Sequence, residues 1–195
     1  MKKISQIIAY SILGIVVLGL VLTAILKKDF SPNINVPAYN NGTGDIFINS
    51  ADDLKHEGLS SKDEKEYDKF VKLYNDSFKL TILYSVFSGE ISKKQEITNY
   101  GKTKPQLSSG LIVTFNYSQN QILRSNGETY YESKSSDEVL YKQVFFAVEN
   151  DKGLTTKKIY FYSENNSSYY QLTTLANFDS LYNYISEFPA FVEQD

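Results

Sequence analysis

The only histidine of the 195-residue chain sits among acids. Asp52, Asp53, His56 and Glu57 bring carboxylate oxygens and one imidazole into a stretch of six residues. Those are the donor types that hold a divalent ion. The same four residues also make an ordinary solvated acidic loop ahead of a helix, where negative charge is favoured. The calcium-loop pattern of alternating acids, a glycine and a distant glutamate is missing. No metal and no cofactor is therefore expected.

With one histidine, a Ser-His-Asp triad would have to run through His56. No Gly-x-Ser-x-Gly elbow accompanies it, and Ser108-Ser109-Gly110 reads as a loop before a strand. Phosphate-cradling loops and dinucleotide fingerprints are missing as well. A hydrolase needs only two well-placed carboxylates, yet spacing singles out no pair among 23 acids. The sequence contains no cysteine, which removes disulfides, thiolate nucleophiles and cysteine-ligated zinc. No enzyme is expected, and a tethered hydrolase working through carboxylates near His56 ranks last among the readings.

The aromatic content offers a different chemistry. The chain has 16 Tyr and 12 Phe. Tyr130, Tyr131, Tyr160, Tyr162, Tyr169 and Tyr170 fall on expected strands. Successive residues of a strand point to opposite faces, so some of these rings lie outside a one-sided core. Tyrosine presents a large contact area at small entropic cost and is enriched at protein interfaces. It also suits any pleated, half-buried surface. These six are the candidate protein-contact aromatics.

Two kinds of element must position such residues. Ile4 to Leu26 carries no charge, and Lys2, Lys3, Lys27 and Lys28 flank it. As a helix it would be about 34 Å long, enough for a hydrocarbon core of about 30 Å. A cleaved signal peptide fits less well: the apolar run is long, and Leu22 stands at −3 if Ala24 is −1. Residues 1–28 are expected to form an uncleaved, single-pass membrane anchor. Gly14 and Gly19 are five apart, so no Gly-x-x-x-Gly dimer face occurs. Lysines at both ends leave only a small bias in sidedness. The short N-tail before a long domain favours a domain outside the cytoplasm.

Without the four flanking lysines, 16 basic residues face 23 acidic ones over residues 29–195, a charge of −7. That argues against nucleic acid, whose binding rests on neutralising phosphates. Residues 29–58 read as an extended spacer or loop, with Pro32, Pro37 and Asn41-Gly42, and Ile46-Phe47-Ile48 in it as a short strand or docking edge. Residues 59–195 read as one α+β domain.

A long helix is expected from a capping box, Ser61-Lys-Asp-Glu64. Its stripe is Tyr67, Phe70, Val71, Tyr74 and Phe78, and Leu80 to Phe87 is read as extending it. Strands follow: Leu111 to Tyr117, a hairpin about Asn126-Gly127, Val139 to Glu149 with Leu140, Val144, Phe146 and Val148 on one face, Thr155 to Tyr162, and Tyr169 to Thr174. A short last helix carries Phe178, Leu181, Tyr182, Ile185 and Phe188 and stops at Pro189. The expected fold is an N-terminal transmembrane helix, then a long helix packed on an antiparallel β-meander, closed by the short C-terminal helix. The function that suits this layout is a non-enzymatic, membrane-anchored module that binds other membrane or envelope proteins. The alternative is a tethered sensor or inhibitor of a neighbouring membrane protein.

Overall fold

Aspartate, with a short side chain that reaches its own backbone two and three residues on, starts the long helix. In the computed structural model, which describes residues 10–19, 34–39, 44–50, 59–61, 63–79, 96–122, 139–187 and 191–193, Asp63 Oδ1 accepts from the amides of Lys65 (2.8 Å) and Glu66 (3.2 Å). Helix α2 then runs Glu64–Asp76, and Glu64 and Glu66 add negative charge to its first turn. The expected Ser61 cap is corrected by two residues. Ser61 is drawn instead into strand β2 (Leu59–Ser61), which pairs with β8 (Phe191–Glu193). The buried stripe is as expected: Tyr67, Phe70 and Tyr74, with Phe78 one turn beyond. The helix stops at Asp76 with Ser77 as C-cap. The expected extension over Leu80 to Phe87 lies outside the described residues.

The chain divides into two units, Met1–Phe30 and Ser31–Asp195. In the first, helix α1 is described over residues 10–19. Its large apolar side chains, from Tyr10 and Ile12 to Leu18, are all more than half exposed. Among the described residues no helix is long and apolar enough to cross a membrane.

The second unit is α+β, with one antiparallel eight-stranded sheet. The remaining strands are β1 (Gly44–Ser50), β3 (Glu96–Gly101), β4 (Leu111–Ile122), β5 (Leu140–Val148), β6 (Thr155–Ser163) and β7 (Ser168–Ala176), and α3 (Asp179–Glu187) follows β7. Their spatial order is β3-β7-β6-β5-β4-β1-β2-β8. The strands β4-β5-β6-β7 thus lie side by side in chain order, as alternation predicts, whereas the expected hairpin about Asn126-Gly127 lies outside the described residues. Strand β1 is the departure: it lies inside the sheet, pairing β4 from Gly44↔Tyr117 to Ser50↔Leu111 and β2 at Ile48↔Leu59. The expected spacer over 29–58 is to this extent built into the fold, because Ile46 and Ile48 are each 1% exposed. Ile34 is buried with them.

Both described helices of this unit cover one face. Tyr74 packs edge-on against Phe78 (5.2 Å) and Phe115 (5.5 Å), Phe115 meets Phe146 (5.5 Å), and Phe146 stacks on Phe178 (5.5 Å). Each such pair adds about 0.5–1.5 kcal/mol beyond its buried area. Leu181, Tyr184 and Ile185 of α3 close the layer, and the Tyr184 hydroxyl donates to Glu66 O (2.9 Å). On β5 the core side takes Val144, Phe146 and Val148, then Tyr141 and Val139 instead of the expected Leu140. The change of parity follows from the β4–β5 register, which shifts between Asn116 and Gln121.

Residues 34–39 are clasped onto this core. The Tyr67 hydroxyl donates to Pro37 O and the Tyr117 hydroxyl to Asn35 O. The Tyr39 ring lies 5.3 Å from that of Tyr67. A side chain at Gly44 would meet Asn116 O at 2.3 Å and Pro37 Cβ at 2.8 Å, so glycine alone fits where clasp and sheet approach.

Candidate functional site

A strand with alternate residues in the core must send the others outward. In β4 and β5 those others are Ile112, Thr114, Asn116, Gln143 and Phe145, and in β1 Phe47 and Asn49. The chain's own backbone lies over part of this second face. After β3, residues 102–110 cross from the sheet edge to β4, over the strands between. Asn99 Oδ1 accepts from Gly101 N (2.8 Å) at the start of the crossing. At its end Ser109 Oγ donates to Glu149 Oε1. Gly110 makes the closing turn at φ +77°, with Val148 O only 2.6 Å from where a Cβ would sit. Both the conformation and the space demand glycine there.

Between this crossing segment and the sheet lies a groove of about 380 Å³. Its floor is Asn49, Ile112, Thr114, Gln143 and Phe145, and its roof Lys104, Pro105, Gln106 and Leu107. Asn49 and Ile112 are cross-strand partners, as are Thr114 and Phe145. Gln143 Nε2 donates to Asn116 Oδ1 (3.0 Å), which leaves Gln143 Oε1 as an acceptor. Asn49 Oδ1 is buried and has no hydrogen-bond partner. Lys104 Nζ stands 5.5 Å from the Phe145 ring centroid. Among the described residues that line the groove there is no carboxylate and no imidazole. Its described lining is equipped to hold a ligand by amides, a hydroxyl and one ammonium.

Beside the groove runs a chain of rings. Phe145 stacks on Tyr160 (5.5 Å, 23°), Tyr160 meets Tyr100 edge-on (5.4 Å), Phe145 meets Tyr169 (6.1 Å), and Tyr169 lies 4.9 Å from Tyr162. Phe145 and Tyr160 are covered, at 3% and 6% exposure, whereas Tyr100 is 48% exposed. Burial, with Tyr100 nearby, raises the Tyr160 pKa.

Of the six candidate aromatics, Tyr160, Tyr162 and Tyr169 therefore share the outward face. Tyr160 is enclosed there and Tyr162 and Tyr169 are half-buried. Tyr170 packs against the core side, and its hydroxyl accepts from Asn166 Nδ2 (2.9 Å). Tyr130 and Tyr131 lie outside the described residues, as do Asp52, Asp53, His56 and Glu57. Among the described residues no three acids or histidines gather in a way that could hold a metal ion.

Sequence reasoning passed over Asn49, Lys104, Thr114, Gln143 and Tyr100. One signal was there to use. Val144-Phe145-Phe146 and Ile159-Tyr160-Phe161-Tyr162 are apolar at every position. Unbroken runs in a strand mark burial on both faces. The chain matches no protein-family model, no curated protein and no solved structure.

Proposed function

We propose that the protein is a single-pass, membrane-anchored module with its domain outside the cytoplasm, and that it binds a partner protein of the membrane or envelope through the outward face of its sheet. One observation carries the reading. The face that no described helix covers holds a second aromatic layer, with Phe145 and Tyr160 enclosed and Tyr100, packed edge-on against Tyr160, half exposed at its edge. A purely solvated face needs no such layer, and rigid rings beside a polar groove suit recognition. The uncharged stretch Ile4–Leu26 supports the anchor, and so does the exposure of every large apolar side chain of α1, which is costly in water and favourable in lipid.

The test places a photo-crosslinking phenylalanine at Tyr100 of the full chain in native membranes, with the same probe at Lys72 on the opposite side as control. One defined partner captured from Tyr100 and none from Lys72 is the expected outcome. Equal or absent capture at both sites sinks the reading. Protease added to intact cells should cleave the domain; protection until lysis overturns the sidedness.

The clasp favours a second reading, a tethered sensor or inhibitor. Residues 34–39, which come soon after Ile4–Leu26 in sequence, are held to the domain core by the Tyr67 and Tyr117 hydroxyls. On this reading, exchanging Ile4–Leu26 for an unrelated span abolishes the protein's effect on its neighbour, while a plain binding module keeps its partner.

A further inference from the structure

We propose that the groove beneath residues 104–107 takes the carboxylate end of a short, extended peptide. The inference rests on the binding-module reading and specifies what the outward face recognises.

Charge points the same way as shape. Among the described residues that line the groove there is one cation, Lys104, and no acid. An anionic group is the charged ligand that this corner of the surface does not repel. One lysine is too little for a nucleic acid, which needs several phosphates neutralised. It matches one carboxylate, bound by a charge-assisted hydrogen bond.

The polar floor reads amides. Asn49 Oδ1 is an acceptor withdrawn from water without a donor to replace it. Such an orphan weakens the free protein and is repaired when a ligand N–H arrives. Gln143 Oε1 and the Thr114 hydroxyl offer further capacity, and primary amides both donate to and accept from a peptide backbone. Leu107 and Ile112 leave apolar surface for one side chain. The floor spans three neighbouring strands, about 10 Å across, which suits roughly three residues of extended chain at about 3.3 Å each. A sugar is the less suitable guest. It would stack on an open ring face, and Phe145 is 3% exposed, with Tyr160 stacked against it and Lys104 over it.

The probes are the tripeptide N-acetyl-Gly-Gly-Leu as free acid and as C-terminal amide. They are titrated into the full chain in lipid nanodiscs while the side-chain amide resonances of Asn49, Gln106 and Gln143 are followed by NMR. The acid should shift these three signals to saturation. The amide should bind about fivefold more weakly, the factor that about 1 kcal/mol from one exposed ion pair supplies. Lys104→Gln should lower the acid to the level of the amide, and Gln106→Ala, also on the exposed roof, should weaken both. Three results overturn the proposal: no shift at these amides, equal affinity for acid and amide, or indifference to Lys104→Gln. If crosslinking from Tyr100 persists while the peptides fail, the groove assignment falls and the binding module stands. If the peptides bind while crosslinking fails, the protein-partner reading is the one that falls.

Discussion

Alkaline pH should unfold this protein abruptly, because phenols are kept neutral in its interior: Tyr67, Tyr74, Tyr117, Tyr141 and, raised by burial as well, Tyr160 and Tyr184. Tyr67, Tyr74, Tyr117 and Tyr141 are each 8% exposed or less. Burial raises all four pKa values: Asp45 adds to the effect at Tyr67, Tyr141 adds at Tyr74 and Tyr117, and Tyr141 itself is pushed up to about 12. In the unfolded chain a tyrosine ionises near its ordinary value of about 10. A group whose folded pKa is raised contributes stability that is whole below the unfolded value and is lost as pH climbs toward the folded one. At about pH 11 each buried phenol thus forfeits about 1.4 kcal/mol, and the four together about 5–6 kcal/mol. A domain's whole stability is about 5–15 kcal/mol. Lys157 acts in the opposite sense. Its pKa is lowered by burial, against Glu149 and Asp179, which raise it, so its contribution improves with pH, by one proton's worth at most. Urea denaturation at steps from about pH 8 to about pH 11 measures the loss directly. Tyrosinate absorbance should rise cooperatively with the fall of the far-ultraviolet circular dichroism. Tyr74→Phe supplies the internal control, since it removes one ionising group and a buried hydroxyl without a partner. It should be neutral or stabilising at about pH 8 and should recover about 1.4 kcal/mol at about pH 11. Stability that stays flat across this range, or phenols that ionise singly with the fold intact, would refute the reasoning.

Asp63→Ala should cost about 1 kcal/mol, with a smaller effect for Ser61→Ala, as read by chemical denaturation; a larger loss at Ser61 would reinstate the capping box. Phe146→Ala, at the centre of the ring cluster, should cost about 3–5 kcal/mol in the same assay. Gly44→Ala drives a Cβ into Asn116 O and Pro37, and should cost about 1–3 kcal/mol, with faster amide exchange along the β1–β4 pairing as its mark.

What could be read from the sequence was local. The stripe from Tyr67 to Phe78 and that from Phe178 to Ile185 repeat with a helical period, so both helices were legible. Asp151-Lys152-Gly153 and the polar run after Glu164 announced their turns, and the meander between them followed. Pairings between distant segments were hidden. Ser61 has the chemistry of a cap, and what claims it is β8, far along the chain. Strand β1 resembled a spacer because its partner β4 lies beyond the helix. Strand β3 escaped notice because Glu96-Ile97-Thr98-Asn99-Tyr100 is mostly polar, with Ile97 as its buried residue. The groove was harder still. Asn49, Thr114 and Gln143 have the types expected at solvent-facing strand positions, and only the crossing of residues 102–110 makes them a floor.

The strand order also sets a timetable. The β4-β5-β6-β7 meander joins neighbours in sequence and can close early, as local contacts do. Strand β1 is synthesised long before β4 exists to receive it, and β2 waits longer for β8. Until β1 docks, one edge of β4 is a bare template for any extended chain nearby. The vulnerable period in the life of this protein is therefore its assembly, and factors that shield an emerging strand should matter to its yield more than factors that protect the finished fold.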